Sequence, residues 1–144
     1  MQVAGRHTVR FRLRHSVHRD RNGIQVDCAQ DSIFGMDCVL DLHCHLLPGI
    51  DDGAVDLDMS LEMARIAVAD GIRTVACTPH IYPGMYDNDR DGIRKAIAAL
   101  RVELARHDID LQLVEGADVH LDVDLLAGIR EGRVPTLAGS RYLL

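Results

Sequence analysis

Residues 38–43 read Cys-Val-Leu-Asp-Leu-His, a short apolar run that predicts a strand. A loop marked by Pro48, Gly49 and Gly53 follows, and the period then changes. Leu57, Leu61, Ala64 and Val68 recur at helical spacing, which predicts a helix over 57–69 with Gly71 placed to end it. The run 72–78 is short, β-branched and mostly apolar, as a buried parallel strand should be, and Pro79 and His80 close it. A second stripe of Ile93, Ala96, Ile97, Leu100 and Leu104 predicts a helix over 91–106. Its Lys95, Arg101, Glu103 and Arg106 read as a solvated face and nothing more. Further on, the pattern predicts a strand over 109–114, a shorter helix over 123–129, a turn at Gly139-Ser140 and the start of a fourth strand over 141–144. Strand, loop and helix in alternation imply an α/β fold, a parallel sheet or barrel with three βα units and part of a fourth.

Composition agrees with one domain and a buried core: 47% of the 144 residues are hydrophobic and 26% charged. No apolar run approaches the ~18–20 residues of a membrane-spanning helix, so membrane insertion is not expected. A formal net charge of -6 argues against sequence-independent nucleic-acid binding. The charge is uneven, however. Residues 1–35 hold six arginines (Arg6, Arg10, Arg12, Arg14, Arg19, Arg21) against three acids (Asp20, Asp27, Asp31). The alternation over 8–14 fits a half-buried strand, yet a basic, solvated and poorly ordered extension explains it more simply. We therefore divide the chain into an extension, 1–35, and a patterned domain, 36–144, with Met36 as a candidate start. Cys28, Cys38, Cys44 and Cys77 form no C-x-x-C pair, and without an export signal the cytoplasm is the expected compartment. A cysteine-dependent phosphatase would carry an arginine six positions after its nucleophile. Those positions hold Phe34, Cys44, Ile50 and Pro83, so that mechanism has no support.

The candidate chemistry begins at Asp41-Leu42-His43-Cys44-His45. In an extended strand His43 and His45 share a face, which lets two imidazoles reach one ion, although H-x-H pairs are often only surface histidines. Cys44 faces the other way and suits a small core residue. Placement strengthens the metal reading: His80 follows His43 by 37 residues and Asp118 follows His80 by 38, each about one βα unit. Successive strands would then deliver His43, His45, His80 and Asp118 to one rim, where parallel barrels keep their chemistry. Asp51 and Asp52 can add a carboxylate or merely form the turn with Gly53. Taken singly, His80 can be a loop histidine and Asp118 a capping acid. Mixed His and carboxylate ligation suits Mn²⁺, Fe or Zn²⁺. Such ions make hydroxide from bound water and screen phosphoryl oxygens, with no protein nucleophile required.

The stretch from Asp41 to Ala54, DLHCHLLPGIDDGA, resembles the polymerase-and-histidinol-phosphatase (PHP) superfamily, together with Thr78-Pro79-His80, Gly116-Ala117-Asp118, Pro135-Thr136-Leu137 and Ser140-Arg141-Tyr142. Within it the match is to the manganese-dependent protein-tyrosine phosphatases of capsular and exopolysaccharide systems, over about 36–144. The resemblance implies a distorted seven-stranded (β/α) barrel with up to three ions on its C-terminal rim, Mn²⁺ first and Fe or Zn²⁺ as alternatives. Carried over by position, His43 and His45 would bind the first metal, Asp118 would bridge the first and second, and Asp52 and His80 would serve the third. One departure is Asp118, where the family usually has glutamate. A side chain about 1.5 Å shorter must reach the metals from a shifted backbone or bind one ion only. Further family ligands and a phosphate-binding arginine would fall beyond Leu144, which makes the chain an N-terminal fragment expected to have little activity alone.

The resemblance implies a substrate too: the phosphotyrosine tail of a bacterial tyrosine autokinase that drives polysaccharide synthesis, with a homo-oligomer possible for the whole protein. Two alternatives stay open. One is another PHP phosphoesterase, acting on histidinol phosphate or nucleic acid; the other is a non-catalytic remnant.

Overall fold

A computed structural model describes residues 39–121 and 124–144. The expectations for 1–35, Met36, Cys28 and Cys38, and for the helix start at Val123, lie outside the described residues. Three strands, β1 (Val39–Cys44), β2 (Ile72–Cys77) and β4 (Gln112–Glu115), form a parallel sheet in the order β1-β2-β4. Helix α1 (Leu57–Ala69) connects the first pair and α2 (Arg90–Arg106) the second, so these are the βα units that the alternating pattern predicts. A second, two-stranded parallel sheet pairs β3 (His80–Ile81) with β5 (Asp118–Val119). A short helix, α3 (Leu125–Arg130), and a 3-10 turn at Leu137–Gly139 complete the described elements.

Capping residues fix where the helices begin. The Asp56 side chain accepts the Met59 N–H at 2.9 Å, and Asp89 accepts that of Gly92 at 2.7 Å. Helix α1 ends as expected at Asp70, with Gly71 in the left-handed region at φ 85. The apolar stripes point where their period requires. Leu61 and Ala64 of α1 and Ile93, Ile97, Leu100 and Leu104 of α2 are buried in one cluster with Val75, Cys77 and Leu113 from the sheet. Each buried leucine, isoleucine or valine among them contributes about 1.5–3 kcal/mol relative to exposure.

Four expectations are corrected. The first strand extends one residue past its expected end, to Cys44. The third begins at Gln112 instead of 109, because Asp108 sits at φ 52 and the Leu111 N–H donates to Ile109 O at 3.0 Å, which folds 109–111 into a turn. Residues 141–144 form no strand. Their backbone is spent on a local loop, with Leu137 N–H donating to Tyr142 O at 2.9 Å, and only Val119 N–H reaching Leu144 O at 3.4 Å. Finally, Arg101 is more than solvated charge: its guanidinium donates to Leu113 O at 2.6 Å and ties α2 to β4.

Candidate metal centre

The site grows from an irregularity in β1. Asp41 pairs with Val75 and Cys44 with Cys77, so three steps along β1 answer two along β2, which is a bulge. Asp41 stabilises it, because its Oδ1 accepts the His43 N–H at 3.0 Å in place of a ladder partner. Thr78 holds the end of the strand, donating its N–H to Cys44 O at 2.9 Å and accepting the Cys44 N–H on Oγ1 at 3.0 Å. His43, in the bulged part of β1, and His45, one residue past its end, have their Nε2 atoms 3.0 Å apart.

Asp118 and His80 arrive from the small second sheet, where they are register partners. His80 Nδ1 lies 3.3 Å from Asp118 Oδ2, and His43 Nε2 lies 3.7 Å from the same oxygen. Asp52, from the loop after β1, brings Oδ1 to 3.4 Å from His80 Nε2 and 3.9 Å from His45 Nδ1. All five residues singled out from the sequence thus meet on one rim. Two triads have ligand atoms close enough to share an ion: His43, His45 and Asp118, and His45, Asp52 and His80. Nitrogen and carboxylate donors in this mixture fit a divalent transition-metal ion. The shorter Asp118 reaches the cluster because β5 carries its backbone against β3, with Asp118 N–H donating to Pro79 O at 3.0 Å.

Asp51 is the residue whose part the sequence left open between ligand and turn. Its side chain is fully buried, and it accepts three hydrogen bonds: from His45 Nδ1 at 2.7 Å and His80 N–H at 3.0 Å on Oδ2, and from Gly53 N–H at 3.0 Å on Oδ1. Burial pushes its carboxyl up, but these donors outweigh burial and hold it below the ordinary carboxylate value. His45 is raised above 6.5, chiefly by its hydrogen bond to Asp51, with desolvation opposing. The pair fixes the tautomer: Nδ1 carries the proton toward Asp51, and Nε2 presents its lone pair to the cluster. Asp51 is thus an orienting carboxylate, and nothing in the local sequence separates it from Asp52. Only tertiary burial does.

Two further residues escaped sequence reading. Asn88 donates from Nδ2 to Ile50 O at 2.9 Å and to His80 O at 2.8 Å, which clamps two rim loops. Tyr86 stacks on His80 with ring centroids 5.5 Å apart. Gly53 is required by space: a Cβ there would fall 2.2 Å from His45 O and 2.3 Å from His45 Cβ. Cys77 is buried at the base of this region, and desolvation pushes its thiol up to about 12, so it stays protonated at neutral pH.

Residues 39–144 match a family model described as capsular polysaccharide synthesis, CpsB/CapC. Over 106 residues the chain is 37% identical to the tyrosine-protein phosphatase YwqE of Bacillus subtilis, covering 74% of this chain and 42% of that protein. Over 107 residues it is 29% identical to the tyrosine-protein phosphatase CpsB of Streptococcus pneumoniae, covering 74% and 44%. A solved structure from work on YwqE and CpsB, described there as unique metal-dependent tyrosine phosphatases, superimposes with a TM-score of 0.70 at 37% identity, over 73% of this chain and 42% of that one. The chain thus spans less than half the length of these relatives.

Proposed function

The chain belongs to the CpsB/CapC family of capsular polysaccharide synthesis, and on that premise we propose that its rim is the metal-holding part of a phosphotyrosine phosphatase. In this reading His43, His45 and Asp118 hold one ion, while Asp52 and His80 serve a neighbouring one, on the rim of a PHP-type (β/α) barrel. Mn²⁺ is the proposed metal, with Fe or Zn²⁺ compatible with the same donors. When bound, such ions activate water and screen the charge of phosphoryl oxygens.

The protein's own residues prepare the site for that chemistry. Asp51 locks the His45 tautomer, and the β1 bulge sets the reach of His43. Asp118 lies between His43 and His80, within 4 Å of both, and is the carboxylate best placed to be shared. The neutral, buried Cys77 thiol offers no nucleophile, which agrees with hydrolysis by water. The proposed substrate is the phosphotyrosine tail of a tyrosine autokinase in polysaccharide synthesis, met in the cytoplasm. Among the described residues no helix is long and apolar enough to cross a membrane.

The observation that carries this proposal is the convergence of five separately placed ligand-type residues into two overlapping triads. Because the 144 residues alone are expected to have little activity, its test is metal-dependent phosphate release by the chain extended with a family-like C-terminal half, with a phosphotyrosine peptide, histidinol phosphate and single-stranded DNA assayed side by side with and without EDTA. Selective turnover of the phosphotyrosine peptide supports the proposal. Preference for either other substrate, or turnover unaffected by EDTA and by His43→Ala, would overturn it.

A further inference from the structure

Beside the metal cluster, the two short strands continue into a feature that the ligand set does not use. His120 N–H donates to Ile81 O at 3.0 Å, so the β3–β5 ladder extends one step beyond its register pairs, and Tyr82 comes opposite His120. Their rings stack, with centroids 4.1 Å apart and planes inclined by 16°. In extended chains residues two apart share a face, so Tyr82 and His120 stand on the face that carries His80 and Asp118, about 6.6 Å further along. A cavity of about 390 Å³ runs over this step, lined by His80, Tyr82, Asp118, Val119, His120 and Leu121. Its floor is therefore metal-ligand chemistry at one end and aromatic surface at the other. Tyr82 is 39% exposed and His120 is exposed as well, although each ring already spends one face on the other. A tight turn holds the tyrosine in place, with Tyr82 N–H donating to Tyr86 O at 3.0 Å and Tyr86 N–H to Tyr82 O at 2.8 Å.

We infer that the stacked pair Tyr82 and His120 is the subsite for the aryl group of the substrate, making the site selective for aryl over alkyl phosphoesters. The inference rests on the phosphoester reading given above and adds the specificity-determining residues. A phosphoryl group held at the His80/Asp118 end carries its ester substituent one linkage away, which is where the ring pair lies. A planar ring there gains offset stacking that an aliphatic substituent of similar charge cannot.

The test measures binding, so that it does not depend on turnover. The Mn²⁺-loaded chain is titrated calorimetrically with phenylphosphonate and with methylphosphonate, which share a head group and are not hydrolysed. Phenylphosphonate should bind tighter by about three- to tenfold, the size of one aromatic stacking contact. Tyr82→Ala with His120→Ala should bring that ratio to near one while leaving Mn²⁺ stoichiometry and methylphosphonate affinity in place, and Tyr82→Phe should keep the ratio. If the double variant loses Mn²⁺, His120→Ala alone, at an exposed position, must lower the ratio. Equal affinities in the unmodified chain, or a ratio that survives these substitutions, would overturn the subsite alone. Binding of neither phosphonate would overturn the metal–phosphoryl reading and the subsite with it.

Discussion

Asp51→Asn tests whether the buried carboxylate organises the metal centre. Asp51 accepts two donors on Oδ2 and one on Oδ1. Asparagine has one acceptor oxygen, so whichever way its amide turns, its NH₂ faces an N–H. The less costly choice keeps oxygen toward His45 and His80 and sets NH₂ against the Gly53 N–H. The Gly53 N–H and the buried amide NH₂ then both go unmet, and one such donor alone costs about 1–3 kcal/mol. His45 meanwhile loses the charge that raises its basicity, and carboxylates behind metal-bound histidines are worth about 10–100-fold in metal affinity. Two separable outcomes are expected: a loss of at least about 1–3 kcal/mol in urea unfolding with EDTA present, and metal affinity weaker by about 10–100-fold in chelator competition. Asp52→Asn, at a largely exposed side chain, should leave unfolding in EDTA unchanged. Asp51→Asn that binds Mn²⁺ or Zn²⁺ as tightly as the unmodified chain would refute the orienting role.

Because His45 belongs to both triads, His45→Ala should abolish Mn²⁺ or Zn²⁺ binding altogether, whereas His43→Ala and His80→Ala should each remove a part; calorimetric stoichiometry distinguishes these, and full binding by the His43→Ala/His45→Ala pair would refute the assignment. The folded-state value of His45 is raised, so its contribution to metal-free stability is complete below pH 6.5 and is lost as pH rises through the raised value. Asp51 and Glu115 are lowered, Glu115 because hydrogen bonds from Arg94 and Arg90 outweigh burial, so their contributions are present above the ordinary carboxylate range and vanish on acidification through the lowered values. Melting of the metal-free chain should accordingly fall off on both sides, while metal affinity, which competes with the His45 proton, should rise with pH over the upper limb. Gly53→Ala should cost about 1–3 kcal/mol by overpacking against the His45 backbone, and Gly71→Ala, in open space at positive φ, about 1 kcal/mol with metal affinity unchanged.

The parts of this molecule that a periodic pattern encodes were legible in its sequence. Helix α1 spans the residues its stripe predicts, and α2 starts one residue earlier because Asp89, a capping side chain, outranks the first apolar position. The spacing of one βα unit pointed to His43, His45, His80 and Asp118, since it constrains where strands end, whereas Asp52 was separated from Asp51 only by the family resemblance. Strand 109–114 was over-extended because Leu111 is buried and Ile109 packs partly buried against the core without either being in the sheet. Apolar content reports burial, and only the Asp108 turn decides that this burial belongs to a loop. The β3–β5 pair went unseen for a related reason: two residues carry no period.

The centre itself is assembled by polar links that join segments far apart in the chain, and such links leave no local trace. Asp51 ties its own turn to His45 and to the His80 backbone, and Asn88 ties Ile50 to His80. Asp51 satisfies ring and backbone donors and Asn88 satisfies two backbone carbonyl acceptors, so fixing the ligands and satisfying the rim backbone are the same set of bonds. That coupling explains why two adjacent aspartates of identical chemistry divide so sharply, one fully buried and one 60% exposed. The buried carboxylate is the one that finds three donors, and the exposed one is left with Oδ1 near His80 and His45. Hydrophobic periodicity places the strands that carry the site; the hydrogen-bond requirements of the loops between them determine which side chains are free to take a metal.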